Sequence, residues 1–295
     1  MNQMAPNGIA LIQVLILSAV LSVVMLSMNF QVREHLKMAQ AAEEYTDASL
    51  QLRSAESEVM FQLLTEEWQK LPELSASKGI AWNFHGRDFQ LGTVSVNVQD
   101  TSGLMNVSAI DRKVLERLLN NKAGADALVA VLKDWQDPDN RPSDQGAEQD
   151  SYPPTIQVRN SGIQFIEELQ LIQGMTPELY NQLIPLTSFF TRGINVNQQP
   201  DALWRLQYPA TQFEELVRQR EQLQLSSSGM ERVMGRAIDE FSRFGVGPVF
   251  RIRFTAHDSD VKLSREITVR IAPVQPVPVE LFELRHQTPL VETSQ

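Results

Sequence analysis

Cysteine is absent from the 295 residues. That excludes disulfides, thiolate zinc sites and cysteine nucleophiles together, and is compatible with any compartment. Histidine is scarce: His35, His85, His257 and His286 are scattered and none sits in a metal-ligand spacing. No nucleophile-elbow or phosphate-loop pattern occurs, so no catalytic set is visible. Positive charge is also in deficit, with 26 basic residues against 36 acidic ones and a net charge of −10. Such a balance argues against binding a phosphate backbone as the main task.

Charge, proline and glycine are all missing from Ile9 to Met28, which reads IALIQVLILSAVLSVVMLSM. At about 1.5 Å per residue, a helix of that length covers roughly 30 Å, the hydrocarbon thickness of a bilayer. Neither proline nor glycine returns between Asn29 and Pro72, so one helix is expected to run from lipid into solvent, ended by Pro72 and Gly79. Three readings fit the start of the chain: a cleaved secretory signal, a plain signal anchor, and a type IV pilin-like signal cut after Gly8. Residues 1–8 carry no Lys or Arg and the run exceeds a usual signal core, which disfavours the first. The uncharged leader, with Arg33 and Lys37 on the other flank, does not orient the segment by charge.

Beyond the membrane, Met38, Ala41, Tyr45, Ala48, Leu52, Ala55, Val59 and Leu63 recur at steps of three and four, an amphipathic stripe. Its second half is expected on the protein's own sheet. Its membrane-near half suits neighbouring helices equally well. Strand signals follow: Ile80–Phe84, then Val94, Val96 and Val98 alternating with polar residues, a turn at Asp100-Thr101-Ser102-Gly103, and a return over Leu104–Val107. From Asp111 the pattern is helical. One apolar face comprises Val114, Leu115, Leu118 and Leu119, and a second runs from Ala127 to Trp135. Two short helices flank Gly174, the second capped by Thr176 with Pro177 at its first position. Strands resume at 249–255 and 267–271, joined by a turn at Asp258-Ser259-Asp260, and the tail from Pro273 is expected to be irregular. The predicted class is α+β: a pilin-like long N-terminal helix on an antiparallel sheet, with a large inserted all-helical domain. The expected divisions are a leader at 1–8, a transmembrane part at 9–28, the pilin-like helix and first strands at 29–110, the insertion at 111–245, and C-terminal strands and tail at 246–295.

Two stretches could carry chemistry. KDWQDPDNRPSDQGAEQDSY crowds Asp134, Asp137, Asp139, Asp144, Glu148 and Asp150 into a loop with prolines and Gly146. Calcium takes several oxygen ligands on such loops; a solvated loop with Asp and Pro as turn residues explains the same composition. The stretch is not an EF-hand, since Pro138 falls inside the Asp pair. Leu169–Leu183, with Gly174 between two helices, is shaped like a helix-hairpin-helix, but Glu167, Glu168 and Glu178 flank it and would repel phosphate. Packing is the preferred explanation.

Taken together, Gly8 before Ile9-Ala10-Leu11-Ile12, the Val94–Asn106 strand and turn, Asp134-Trp135, Gly146-Ala147-Glu148 with Asp150 and Tyr152, the Leu169–Met175 hairpin and Ile194-Asn195-Val196-Asn197 resemble the type II secretion minor pseudopilin K family. The resemblance implies a structural part, not an enzyme, anchored by one span in the bacterial inner membrane with its soluble part in the periplasm. It implies cleavage by the prepilin peptidase between Gly8 and Ile9, N-methylation, and a place at the pseudopilus tip beside minor pseudopilins I and J and other pseudopilins, with no nucleic acid. Some family members bind calcium in the inserted domain, which makes Asp137, Asp139, Asp144, Glu148 and Asp150 the candidate ligands. Here Gln149 and Ser151 interrupt the acidic run, and the leader lacks the basic residue common in the family. Pilin-like helices mostly carry Glu at the fifth mature position, where it pairs with a neighbour's amine. This chain has Gln13, and a neutral side chain suits a subunit with no amine to meet in lipid. The alternatives are a membrane-tethered periplasmic nucleic-acid-binding protein using the Gly174 hairpin, and a periplasmic enzyme on a signal anchor.

Overall fold

A computed structural model describes residues 7–76, 79–191, 193–222, 225–235, 242–258 and 261–287. Residues 1–6 of the expected leader and 259–260 of the expected C-terminal turn lie outside the described residues. Helix α1 is continuous over Asn7–Thr65. No residue from 11 to 43 is buried, whereas Ala48, Leu52, Ala55, Val59 and Leu63 are all buried against the sheet. The stripe is therefore covered in its second half only. α1 stops seven residues before Pro72: the Trp68 indole N–H donates to the Leu63 carbonyl at 2.8 Å and its ring packs edge-on to Phe250 at 5.2 Å. That turn leads into α2 (Leu71–Ala76), with Pro72 tolerated in its first turn.

The sheet comprises β1 (Phe89–Leu91), β2 (Val94–Asp100), β7 (Val249–Asp258), β8 (Val261–Ile271) and β9 (Val279–Gln287), in the order β1-β2-β7-β8-β9 and antiparallel throughout. Gly92, at φ +61, turns β1 into β2, a conformation costly for a side chain bearing Cβ. Alternation decides the faces. Val94, Val96 and Val98 pair in register with Ala256, Phe254 and Ile252, all at most 2% exposed, while the intervening arginines point away from α1.

Three expectations are corrected, two of them in the helix-and-sheet layer. Ile80–Phe84 is not a strand: Asn83 bonds both the N–H and the carbonyl of Arg87, and Trp82 and Phe84 fill the core. The tail is not irregular throughout, because β9 follows the proline-rich turn.

Between β2 and β7 lies the helical insertion. It holds β3 (Met105–Asn106), α3 (Arg112–Leu119), α4 (Lys122–Asp134), α5 (Pro177–Leu183), β4 (Thr187–Ser188), β5 (Ile194–Asn195), α6 (Asp201–Gln207), α7 (Ala210–Glu221), α8 (Ser227–Met234) and β6 (Ser242–Arg243). β3 does not return along β2 as its sequence suggests; it pairs parallel with β4, inside the insertion. One core gathers α3, α4, α5 and the loops between them, and a smaller one forms around Trp204, Leu216 and Met230.

Asp100 fastens the insertion to the sheet. Fully buried, its carboxylate accepts from Ser102 N (2.9 Å), Ser102 Oγ (2.7 Å), Gly247 N (2.6 Å) and Asn195 Nδ2 (3.3 Å). It thus ties the exit of the insertion, its middle and its return. Burial nevertheless pushes the carboxyl above the usual range, against the pull of those donors.

Candidate metal centre

α4 ends at Asp134, and the chain then loops through 135–148 to bring Glu148 back beside it. Asp134, Asp137 and Glu148 each offer a carboxylate oxygen within 4.8 Å of the others. Asp134 is oriented by Ser143, whose N–H and hydroxyl donate to its two oxygens at 2.9 and 2.5 Å. Gly146 is needed for this closure, since a Cβ there would collide with the Asp134 carboxylate. Trp135, next in sequence to Asp134, packs edge to face on Tyr152 with ring centroids 5.6 Å apart.

The electrostatics are unbalanced. Glu148 is 3% exposed, and both its carboxylate oxygens, together with Asp137 Oδ1, are buried without a hydrogen-bond partner. Desolvation first, then the charges of Asp134, Asp137 and Asp139, raise the Glu148 carboxyl above its ordinary value. Burial raises the Tyr152 phenol likewise, with smaller contributions from Asp134 and Glu148. Buried carboxylates crowded in this way need a cation or a proton. The arrangement is able to chelate a divalent cation, and oxygen-only donors suit a hard one.

Of the residues singled out by sequence, the structure brings Asp137 and Glu148 together. Asp139 stands at the rim, its carboxylate accepting from Arg141 N at 2.9 Å, and Asp144 and Asp150 are exposed outside the trio. Asp134 belongs to the acidic stretch but not to the candidate ligands that the sequence offers. Its approach to Gly146 at the end of α4, which sets it apart from the other acidic residues, exists only in the folded loop. Gly8 and Ile9 fall within the first turns of α1, and Gln13 is exposed on it. In the Leu169–Leu183 hairpin, Leu169, Ile172, Leu179 and Leu183 are buried in the insertion core, and residues 160–191 contain no Lys or Arg. Glu168 is held by the Arg159 guanidinium at 2.5 and 2.7 Å, which, with backbone donors, overcomes its burial and lowers its carboxyl. The hairpin is a packing element.

A long helix half sheathed by an antiparallel sheet, carrying a tethered helical insertion, defines a pilin-like α+β subunit. The profile of the family Type II secretion system (T2SS), protein K, matches residues 90–191. Type II secretion system protein K of Klebsiella pneumoniae is 31% identical over 157 residues, 44% of this chain and 48% of that one. The Pectobacterium carotovorum protein of the same name is 28% identical over 148 residues, 42% and 45% of the two chains. The matched region thus spans about half the length of these curated relatives. In the crystal structure of the GspK-GspI-GspJ complex from enterotoxigenic Escherichia coli, one chain superposes with a TM-score of 0.51 at 17% identity, covering 85% of this chain and 99% of that one, a likeness of fold. The chain is a homologue of type II secretion system protein K.

Proposed function

We propose that the chain is a structural subunit of the type II secretion pseudopilus, placed at its tip and supporting protein export across the outer membrane. The observation that carries this is α1: apolar and bare across a membrane's thickness, then sheathed by the sheet from Ala48 onward. A single long apolar N-terminal helix suits inner-membrane anchoring with the head in the periplasm. The solved relative was crystallised with I and J proteins, which supports minor pseudopilins I and J as partners here. Prepilin peptidase would cut between Gly8 and Ile9, leaving α1 from Ile9 onward as the anchor. Gln13 would then sit uncharged at the fifth position, as fits a subunit with no neighbouring amine above it. The family likeness to a non-catalytic component speaks for a structural part, and the packed, acidic hairpin speaks against the nucleic-acid alternative.

Calcium is the cation proposed for the acidic site. Asp134, Asp137 and Glu148 would supply the inner carboxylates. Asp139, Asp144, Asp150, backbone carbonyls and water are the available sources for the six to eight oxygens that calcium takes.

Mass spectrometry of the chain purified from membranes tests the reading: the mature protein should begin at a methylated Ile9. A mature chain starting beyond residue 28, with a head free in solution, would overturn it. Restoring Glu by Gln13→Glu tests the tip argument; unchanged incorporation would remove Gln13 from it.

A further inference from the structure

Where the insertion meets the sheet layer, a cavity of about 530 Å³ opens beside the turn that ends α1. Three stretches wall it: the turn between α1 and α2, residues 81–87 ahead of β1, and the insertion through Asn197, the end of α7 and residues 244–246. Trp68, Trp82, Phe84, Leu225, Phe244 and Val246 supply its apolar surface. That size, and a place at the seam between two packed units, are usual for small-ligand sites. The seam is closed by charge. Arg87 pairs with Glu221 at 2.9 Å and with Asp201 at 3.1 Å, while Arg220 pairs with Asp201 and donates to the Gln199 carbonyl at 2.7 Å. The polar atoms of the lining are less well served. Trp82 Nε1, His85 Nε2, Asn197 Oδ1 and Arg220 Nε are buried without a hydrogen-bond partner among the described residues. Trp82 and Arg220 are only 3% and 6% exposed. Buried polar atoms are rarely left unpaired, and these four belong to the walls of one cavity.

We infer that this cavity binds a small uncharged ligand that couples an apolar ring to an amide, either free or as one residue of a peptide. The absence of net charge follows from the walls. Arg87 and Arg220 already face Asp201 and Glu221, and Glu73, the remaining acidic residue there, is exposed. His85 adds no charge: burial first, and then the Arg220 guanidinium, hold its imidazole down at about 3, so it is neutral at any working pH. An ionised ligand would carry an unmatched charge into a desolvated site. The ring follows from the aromatic walls. Trp82 lies tilted 5.9 Å from Phe84 and 5.0 Å from Phe89, a cluster that accepts a further ring offset or edge to face. The amide follows from the unpaired atoms. An indole N–H and a guanidinium N–H need an acceptor, whereas the Asn197 oxygen needs a donor, and an amide supplies both. A sugar supplies both too, but its hydroxyls point along every edge and the apolar walls would strand most of them. The cavity shares no residue with the acidic site, and its ligand does not depend on the pseudopilin reading.

N-acetylphenylalaninamide is the probe, titrated into the detergent-solubilised full-length chain and read by saturation-transfer NMR. A molecule of that size should bind with a Kd of about 1 mM. Ala81→Phe, at an exposed residue of the wall, should weaken it about tenfold at an unchanged melting temperature. N-acetyllysinamide and methyl glucoside should show no transfer. The blocked peptide acetyl-Gly-Gly-Phe-Gly-Gly-amide reads the source: binding about tenfold tighter assigns a peptide and equal binding a free molecule, and both keep the site. No transfer from the phenylalanine probe, transfer untouched by Ala81→Phe, or equal transfer from the lysine or sugar probe would overturn the inference. Binding gained only in Phe241→Ala would name the chain's own residues 236–241, which lie outside the described residues, as the occupant and overturn it as well.

Discussion

Glu148→Gln separates a structural carboxylate from a ligand, because the two roles predict opposite signs. Two unit charges 4.8 Å apart repel by about 3 kcal/mol at an effective dielectric constant near 20. Glu148 faces two such neighbours. The strain it retains is capped, since it can take up a proton instead: from its ordinary value of 4.5 to pH 7, at about 1.4 kcal/mol per pH unit, the ceiling is roughly 3.4 kcal/mol. Without metal, Glu148→Gln should therefore stabilise the chain by about 1–3 kcal/mol, a rise of roughly 5 °C in Tm. With calcium at about 100 times its Kd, the wild type should gain about 2.7 kcal/mol and the variant little of it. Thermal melts of the detergent-solubilised chain, in chelator and in calcium, read both effects. The pH dependence has a definite sign. The folded carboxyl is raised, so in chelator its contribution is fully present below about 4.5 and is lost as pH rises through the raised value. The Gln variant should lack that slope. A variant that melts lower than wild type in chelator, or a wild type indifferent to calcium, would refute the reasoning.

Gly146→Ala should abolish the calcium response and lower the Tm, because its Cβ collides with Asp134; calorimetry with calcium reads the loss. Asp100→Asn replaces an acceptor by a donor opposite N–H groups that already point at it, and should cost about 1–3 kcal/mol, with amide exchange rising at Asn195 and Gly247. Val59→Ala should cost about 2 kcal/mol in denaturant unfolding, since Val59 is fully buried. Met38→Ala, at a residue 66% exposed, should change stability by no more than about 0.5 kcal/mol; equal effects at the two sites would contradict the half-sheathed helix.

Periodicity made the large elements legible. The apolar run, the stripe from Ala48 to Leu63 and the alternation of Val94-Val96-Val98 against Phe250-Ile252-Phe254 each state a period and a face, and each is used as stated. The misplaced pieces are those decided by side chains from elsewhere. Trp82 and Phe84 have strand-like composition, but Asn83 commits the segment to a turn. Residues 201–234 form three helices that were not assigned from sequence, because polar residues such as Gln219 and Arg220 are buried there: Arg220 lies over the Trp204 ring at 4.0 Å and is paired with Asp201. In the acidic loop the residue types were visible and the selection was not. Choosing Asp134 over Asp144 or Asp150 requires knowing that Gly146 lets the loop close on the end of α4.

Asp100 and Phe250 are direct partners across two adjacent strands. The insertion therefore leaves and re-enters at a single bend of an otherwise continuous meander. A two-residue hairpin connection would span the same gap, and none of the pairings among the five strands would change. Bulk at the far end of this rod can thus grow or shrink as a separate variable, while the long helix and the sheet beneath it keep their shape.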